Sequence, residues 1–193
     1  MWITHSYLGT TLGRMRCLFF LLYEDYIEAQ TQFARELDYE LERFARNLGH
    51  KGAVVRPFLG DIEKTRSHVL DKPWGPRERE ELSKTPSLLM INVDFDVFNP
   101  QEHPWFLFHF GRQMVEGIGG YELCEFREIF QRLAEAVNNT DVDPFEVARA
   151  AYYEIHPSDV VKIFEAKPGI FGFSVDLFRA GEFLTRLWRR FTQ

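Results

Sequence analysis

Cysteine is nearly absent from this 193-residue chain, which holds only Cys17 and Cys124. Two thiols cannot build the disulfide framework that staples small secreted domains, and no Cys-x-x-Cys pair is present to start a zinc site. Cys17 falls in an apolar strand-like run and Cys124 in a helix-like one, where a free thiol acts as a small hydrophobe. The expectation is no disulfide and a reducing, cytoplasmic compartment. Long apolar runs are also lacking. Cys17-Leu-Phe-Phe-Leu-Leu-Tyr23 follows two arginines as a signal peptide would, yet it is short, has no small-residue cleavage site, and falls far below the ~20 residues of a membrane helix. An excess of basic charge is missing as well: the formal net charge is -6 and the isoelectric point about 5.6, which disfavours general binding to a phosphate backbone. Finally, the chain has no Gly-x-Ser-x-Gly elbow, no Walker loop and no Gly-x-Gly-x-x-Gly after a strand; Gly117-Ile-Gly-Gly120 has a different spacing.

What is present suits one ordinary domain. A chain of this length buries roughly 70% of the surface its unfolded form exposes, enough for a core without staples. Aromatic residues make up 16% of the chain and phenylalanine alone contributes 19 positions, so that core is bulky. Residues 1–13 have no clear period and read as a loose leader before a single α/β domain over 14–193. The hydrophobic pattern predicts a strand from Arg16 to Tyr23 and an amphipathic helix from Asp25 to Leu48, stopped by Gly49. A strand from Ala53 to Phe58 then completes a βαβ unit with parallel strands. Gly60 to Thr85 is polar, with Lys72-Pro-Trp-Gly-Pro76 as a rigid elbow and a helical turn from Arg77 to Leu82.

Ser87 to Gly111 is the most informative stretch. Two apolar runs, buried-strand-like and rich in Leu, Ile, Val and Phe, flank a loop holding Asp94, Asp96, Asn99, Glu102 and His103. Beyond it, a helix is expected from Tyr121 to Val137. Another starts at Asp143-Pro144-Phe145-Glu146, where an acid at the N-cap, proline at the first helical position and glutamate at N3 form a capping-box variant. Val160 to Leu177 reads as an antiparallel hairpin. A last helix from Arg179 to Phe191 carries Arg186, Arg189 and Arg190 on one side, a face suited to docking on an anionic surface. The predicted architecture is a central mixed sheet of five or six strands covered by helices, parallel in its first half.

Three constellations could carry chemistry. Asp94 and Asp96, spaced by two at a strand end, would face one side; with Glu165 and Lys167 they would hold Mg²⁺ beside a lysine, as a phosphodiesterase or nuclease requires. Glu165-Ala166-Lys167 resembles the Glu-x-Lys half of the PD-(D/E)xK nuclease motif, although Pro168-Gly169 stands where that family continues into a helix. A second set, His103 and His109 with the aspartates, is a candidate metal site without a local ligand pair. The third is a nucleotide pocket beyond the carboxyl ends of strands at Arg16, Ala53 and Ser87, gathering Glu24, Asp25, Arg56, Asp61, Asn92, Asp94 and Asp96. The strand order, and Asn92-Val-Asp-Phe followed by Trp105, is similar to a TIR-type domain. That resemblance implies nucleotide sensing or NAD processing, though the chain lacks a glutamate after Trp105.

No catalytic set is complete, so the leading expectation is a non-catalytic binding or regulatory module. It would recognise a protein or a small ligand, such as a nucleotide, through Arg56, Asp61, Trp74, Asn92, Asp94, Asp96, His103 and Trp105. No cofactor is expected unless the Mg²⁺-dependent alternative holds.

Overall fold

The computed structural model describes residues 2–3, 15–24, 26–58, 60–83, 86–110 and 123–155. The chain divides into two compact units, Met1–Ile155 and His156–Gln193. All described residues belong to the first. The expected hairpin over Val160 to Leu177, the last helix, the glycine turn near Gly117, and Glu165 and Lys167 lie outside the described residues.

The first unit is mixed α/β with one mixed sheet. Strand β1 is the two-residue segment Trp2–Ile3, β2 is Cys17–Leu22 and β3 is Gly52–Val55, while β4 is Ser87–Ile91 and β5 is Trp105–His109. Their order is β1-β3-β2-β4-β5. Among the described residues four strands form the body of the sheet and β1 adds two residues at its edge, while the two further strands expected over 160–177 lie outside the described residues. Helix α1 (Glu28–Leu48) joins β2 to β3, which run parallel with Phe20 opposite Val55. Helices α2 (Ile62–Leu70) and α3 (Pro76–Ser83) lead from β3 to β4. Helices α4 (Leu123–Asn138) and α5 (Pro144–Ile155) follow the sheet.

One expectation is overturned here. Strand β4 runs antiparallel to β2, with Leu18 opposite Ile91 and Leu22 opposite Ser87, so the first half of the sheet is not wholly parallel. The run Ser87–Ile91 is buried throughout and reads the same in either direction, so burial alone could not reveal its polarity.

Alternation along the strands sorts the core into two layers. Cys17, Phe19 and Leu21 of β2 join Val54, Leu88, Met90, Phe106 and Phe108 beneath α1, α4 and α5. Leu18, Phe20 and Leu22 face the other way, with Ala53, Val55, Leu89, Ile91 and Leu107, beneath Val69 of α2, Leu82 of α3 and Phe95 and Phe98 of the β4–β5 loop. Helix α1 buries Ala34, Leu37, Leu41, Phe44 and Leu48 at helical spacing. The Phe44 ring sits 4.8 Å edge-on from Phe19 and 4.7 Å stacked from Phe130, locking α1 and α4 onto the first face. Gly49 ends α1 at φ 59°, a conformation that glycine adopts without a Cβ clash. The predicted cap of α5 is present: the Phe145 N–H donates to Asp143 Oδ1 at 2.9 Å.

Candidate functional site

Because β4 is antiparallel to β2 and β3, the residues expected to gather at one mouth divide between the two ends of the sheet. Glu24, Arg56 and Asp61 follow the carboxyl ends of β2 and β3. Asn92, Asp94 and Asp96 follow β4 and lie at the opposite end, roughly 17 Å away for a strand of five residues at ~3.4 Å each. Asp25 lies outside the described residues.

The β4 end is closed by mutual packing. Asp94 precedes a single 3-10 turn, Phe95–Val97, and Asp96 sits within it. Strand β4 ends at Ile91, before either acid, and the turn begins between them, so these acids do not share a strand face as expected. Asp96 is exposed, and its carbonyl accepts from Lys72 Nζ at 3.3 Å. The Lys72 ammonium stands 4.6 Å from the Phe95 ring centroid, and burial lowers its pKa while Asp96 opposes the shift. Trp74 Nε1 donates to the Val69 carbonyl at 2.6 Å, and the Trp74 ring packs edge-on against Trp105 at 5.0 Å and near Phe98 at 5.6 Å. His103 is held from within its own loop, its Nδ1 accepting from the Asn99 N–H at 3.0 Å. Gln101 Nε2 donates to the Pro73 carbonyl, stitching this loop to the Lys72–Pro76 elbow. Asn92 is exposed beside them. Among the described residues no group of three His, Cys, Asp or Glu side chains could hold a metal ion. His109 lies at the other end of β5 from His103's loop, within 3.4 Å of Glu81.

The carboxyl end of β2 and β3 is built differently. Helix α1 leaves β2 over one face of the sheet and α2 leaves β3 over the other. In open α/β sheets such a divergence opens a crevice beyond the strand ends. Glu24 emerges on the α2 side and pairs with Arg66 at 2.7 Å; Arg56 emerges on the α1 side and pairs with Asp38 at 2.8 Å. The Glu24 backbone N–H donates to Gln30 Oε1, and Tyr26, 70% exposed, hydrogen-bonds the Glu24 carboxylate, which raises the phenol pKa. Phe58 is 49% exposed on the loop after β3. Gly60, at φ 95°, then turns the chain into α2 behind Asp61, whose side chain makes no capping bond.

Polar satisfaction separates the two ends. Among the described residues, the five buried side-chain atoms without a hydrogen-bond partner belong to the carboxyl end: Asp38 Oδ1, Arg56 Nε, Thr65 Oγ1, Arg66 Nε and Ser87 Oγ, the last opposite Leu22. Arg56 Nε and Asp38 Oδ1 are within 2.8 Å of each other and count as an ion pair of poor alignment, whereas Thr65, Arg66 and Ser87 present atoms with no partner at all. Burial raises the Asp38 pKa against the opposing pull of Arg56. A polar groove lies elsewhere, between α1 and α4, lined by Arg43, Asn47, Gln131, Glu135 and Asn138. None of the buried atoms without a hydrogen-bond partner lines it.

Of the sequence-predicted residues, Glu24, Arg56 and Asp61 therefore sit at this mouth, while Trp74, Asn92, Asp94, Asp96, His103 and Trp105 sit together at the other end. Tyr26, Asp38, Thr65 and Arg66 were missed. Thr65 and Arg66 lie on α2, whose pattern Ile62, Thr65, Val69 has helical spacing but a polar residue at its centre. Comparison with protein families, with curated proteins and with solved structures finds no match, so fold and site geometry carry the functional reading alone.

Proposed function

We propose that this protein is a non-catalytic binding or regulatory module that takes a small ligand at the crevice beyond the carboxyl ends of β2 and β3, between Glu24–Arg66 and Asp38–Arg56. The observation that carries this reading is the placing of two partly buried ion pairs, Glu24–Arg66 and Asp38–Arg56, at one end of the sheet, where the buried atoms without a hydrogen-bond partner among the described residues also gather. Folded proteins satisfy nearly all buried polar groups, so a cluster of exceptions marks this end as the less completely bonded one. Two ion pairs of opposite polarity, one on each side of the sheet edge, would orient a polar ligand without performing chemistry on it. The buried free thiol Cys17, its pKa pushed up to about 12 by burial, is inert and fits a reducing intracellular setting.

The test is a thermal-shift screen of the full chain against a broad panel: nucleosides, nucleotides, dinucleotides, amino acids, sugars and small carboxylates. A ligand at 100 times its dissociation constant adds about 2.7 kcal/mol of stability. Arg56→Ala and Arg66→Ala should abolish the shift produced by the hit. A panel in which no compound shifts the transition, or a hit indifferent to both substitutions, would sink the proposal.

A further inference from the structure

Four hydrogen bonds converge on Asn99 in the β4–β5 loop, and one of them depends on a proton. The Asn99 carbonyl accepts from the Glu102 and His103 N–H groups, and its side-chain Oδ1 accepts from the Gln101 N–H. The Asn99 N–H donates in its turn to His103 Nδ1 at 3.0 Å. A backbone amide can only donate, so Nδ1 must present its lone pair and the neutral ring carries its proton on Nε2. A second proton would go to Nδ1 and set donor against donor. The imidazole ring ordinarily changes charge between about pH 5 and 8, so this bond is exposed to modest changes of acidity.

The surroundings decide what that proton does. Charged and titratable groups nearby in the chain are Asp94, Asp96 and Glu102 of the loop, Asp71 and Lys72 of the elbow, and His68 in the last turn of α2. Lys72 is engaged by the Asp96 carbonyl and the Phe95 ring. Among the described residues no carboxylate forms an ion pair with His103, so a charge formed there gains no anionic partner. His109 is the opposite case, because Glu81 stands 3.4 Å from its Nε2 and protonation turns that contact into an ion pair. The His103 ring also leans on Phe98, with 6.3 Å between centroids, and Phe98 is 2% exposed beneath Trp74. One residue pair away, Gln101 Nε2 ties the loop to the Pro73 carbonyl at 2.9 Å.

We propose that His103 is a proton-operated latch: the neutral ring closes the Asn99–His103 turn beside Phe98, and the protonated ring leaves Asn99 and loosens this loop from the Lys72–Pro76 elbow. The device lies at the opposite end of the sheet from the proposed ligand crevice and stands independently of it.

The experiment follows the full chain by NMR between about pH 8 and 5.5, above the range in which exposed carboxylates take up protons. The signals are the His103 ring nitrogens, the Asn99 amide and the Trp74 and Trp105 indoles. At the alkaline limit Nδ1 should be the nitrogen without a proton. As the ring charges, the Asn99 and indole signals should move with it. An asparagine side chain carries an oxygen that accepts at any pH, so His103→Asn should hold those signals steady. Exchange protection of the Asn99 amide in the unsubstituted protein should then fall roughly two- to tenfold below that of His103→Asn at the same acid pH, the share one hydrogen bond contributes. A proton found on Nδ1 at the alkaline limit would overturn the proposal without any variant. Asn99 and indole signals that ignore the charging of the ring would do the same, as would an equal pH response in His103→Asn.

Discussion

The two ends of the β2–β3 strand pair are made from similar residues and are finished in opposite ways. At the amino end Arg16 donates to four carbonyls, those of Ala136, Val137, Asn139 and Val142, closing the C-terminus of α4 and the turn into α5. Lys51 Nζ donates to the Asn138 carbonyl, and Asn138 Nδ2 reaches Asn47 and Ala134. Cations at a helix C-terminus also complement its dipole. On the other face of the same end, the Trp74 elbow and the β4–β5 loop satisfy one another. The carboxyl end has arginines and acids as well, but leaves Thr65, Arg66 and Ser87 with unpartnered atoms and Tyr26 and Phe58 in solvent. Stability is concentrated where the backbone ends are tied, and vacant bonding capacity where the chain leaves β2 and β3.

Substitutions can break that contrast, the largest effect being expected at the amino end. Arg16→Ala removes all four bonds and should lower unfolding stability by about 2–4 kcal/mol, since hydrogen bonds to a charged group are stronger than neutral ones but here are partly exposed. Urea denaturation measures it; a loss under ~1 kcal/mol would mean that the clamp is ornamental. Next comes Asp143→Ala, which removes the α5 cap and should cost about 1 kcal/mol in the same assay.

At the carboxyl end the Asp38–Arg56 pair should show itself through pH. Burial holds the Asp38 pKa above its ordinary value of 3.8, so the folded state takes up this proton more readily than the unfolded chain. Its contribution to stability is full below pH ~3.8 and is lost as the pH rises through the raised folded value. Relative to Asp38→Asn, the unsubstituted protein should therefore become less stable as the pH rises through that window. A flat difference, or one of opposite sign, would show that attraction to Arg56 outweighs burial. The smallest effects belong to the rim: Tyr26→Ala and Phe58→Ser should each change stability by no more than about 0.5 kcal/mol. A loss above ~1.5 kcal/mol at either residue would make the rim a structural element and erase the contrast.

Much of the fold was legible beforehand, and the reasons are local. Helix α1 declares itself by the spacing of Leu37, Leu41, Phe44 and Leu48, and α5 by Asp143-Pro144. The strands announce themselves as apolar runs. Helix α2 did not, because its buried face passes through Thr65 and the other outward positions are charged or polar. The elbow at Trp74 was recognised, but its embrace of Trp105 and Phe98 depends on residues 24 and 31 positions away. Of the candidate site, Glu24, Arg56 and Asp61 were anticipated at a strand mouth. Arg66 and Tyr26 carry no motif and acquire meaning only beside Glu24.

The amino-acid order by itself determined that α1, α4 and α5 are helices and β2, β4 and β5 strands, and which side of α1 is apolar, since each depends on near neighbours and on periodicity. Only the tertiary structure decided the direction of β4. A run buried on both faces carries no mark of polarity, and that direction sends Asp94 and Asp96 to one end of the sheet and leaves Glu24, Arg56 and Arg66 at the other.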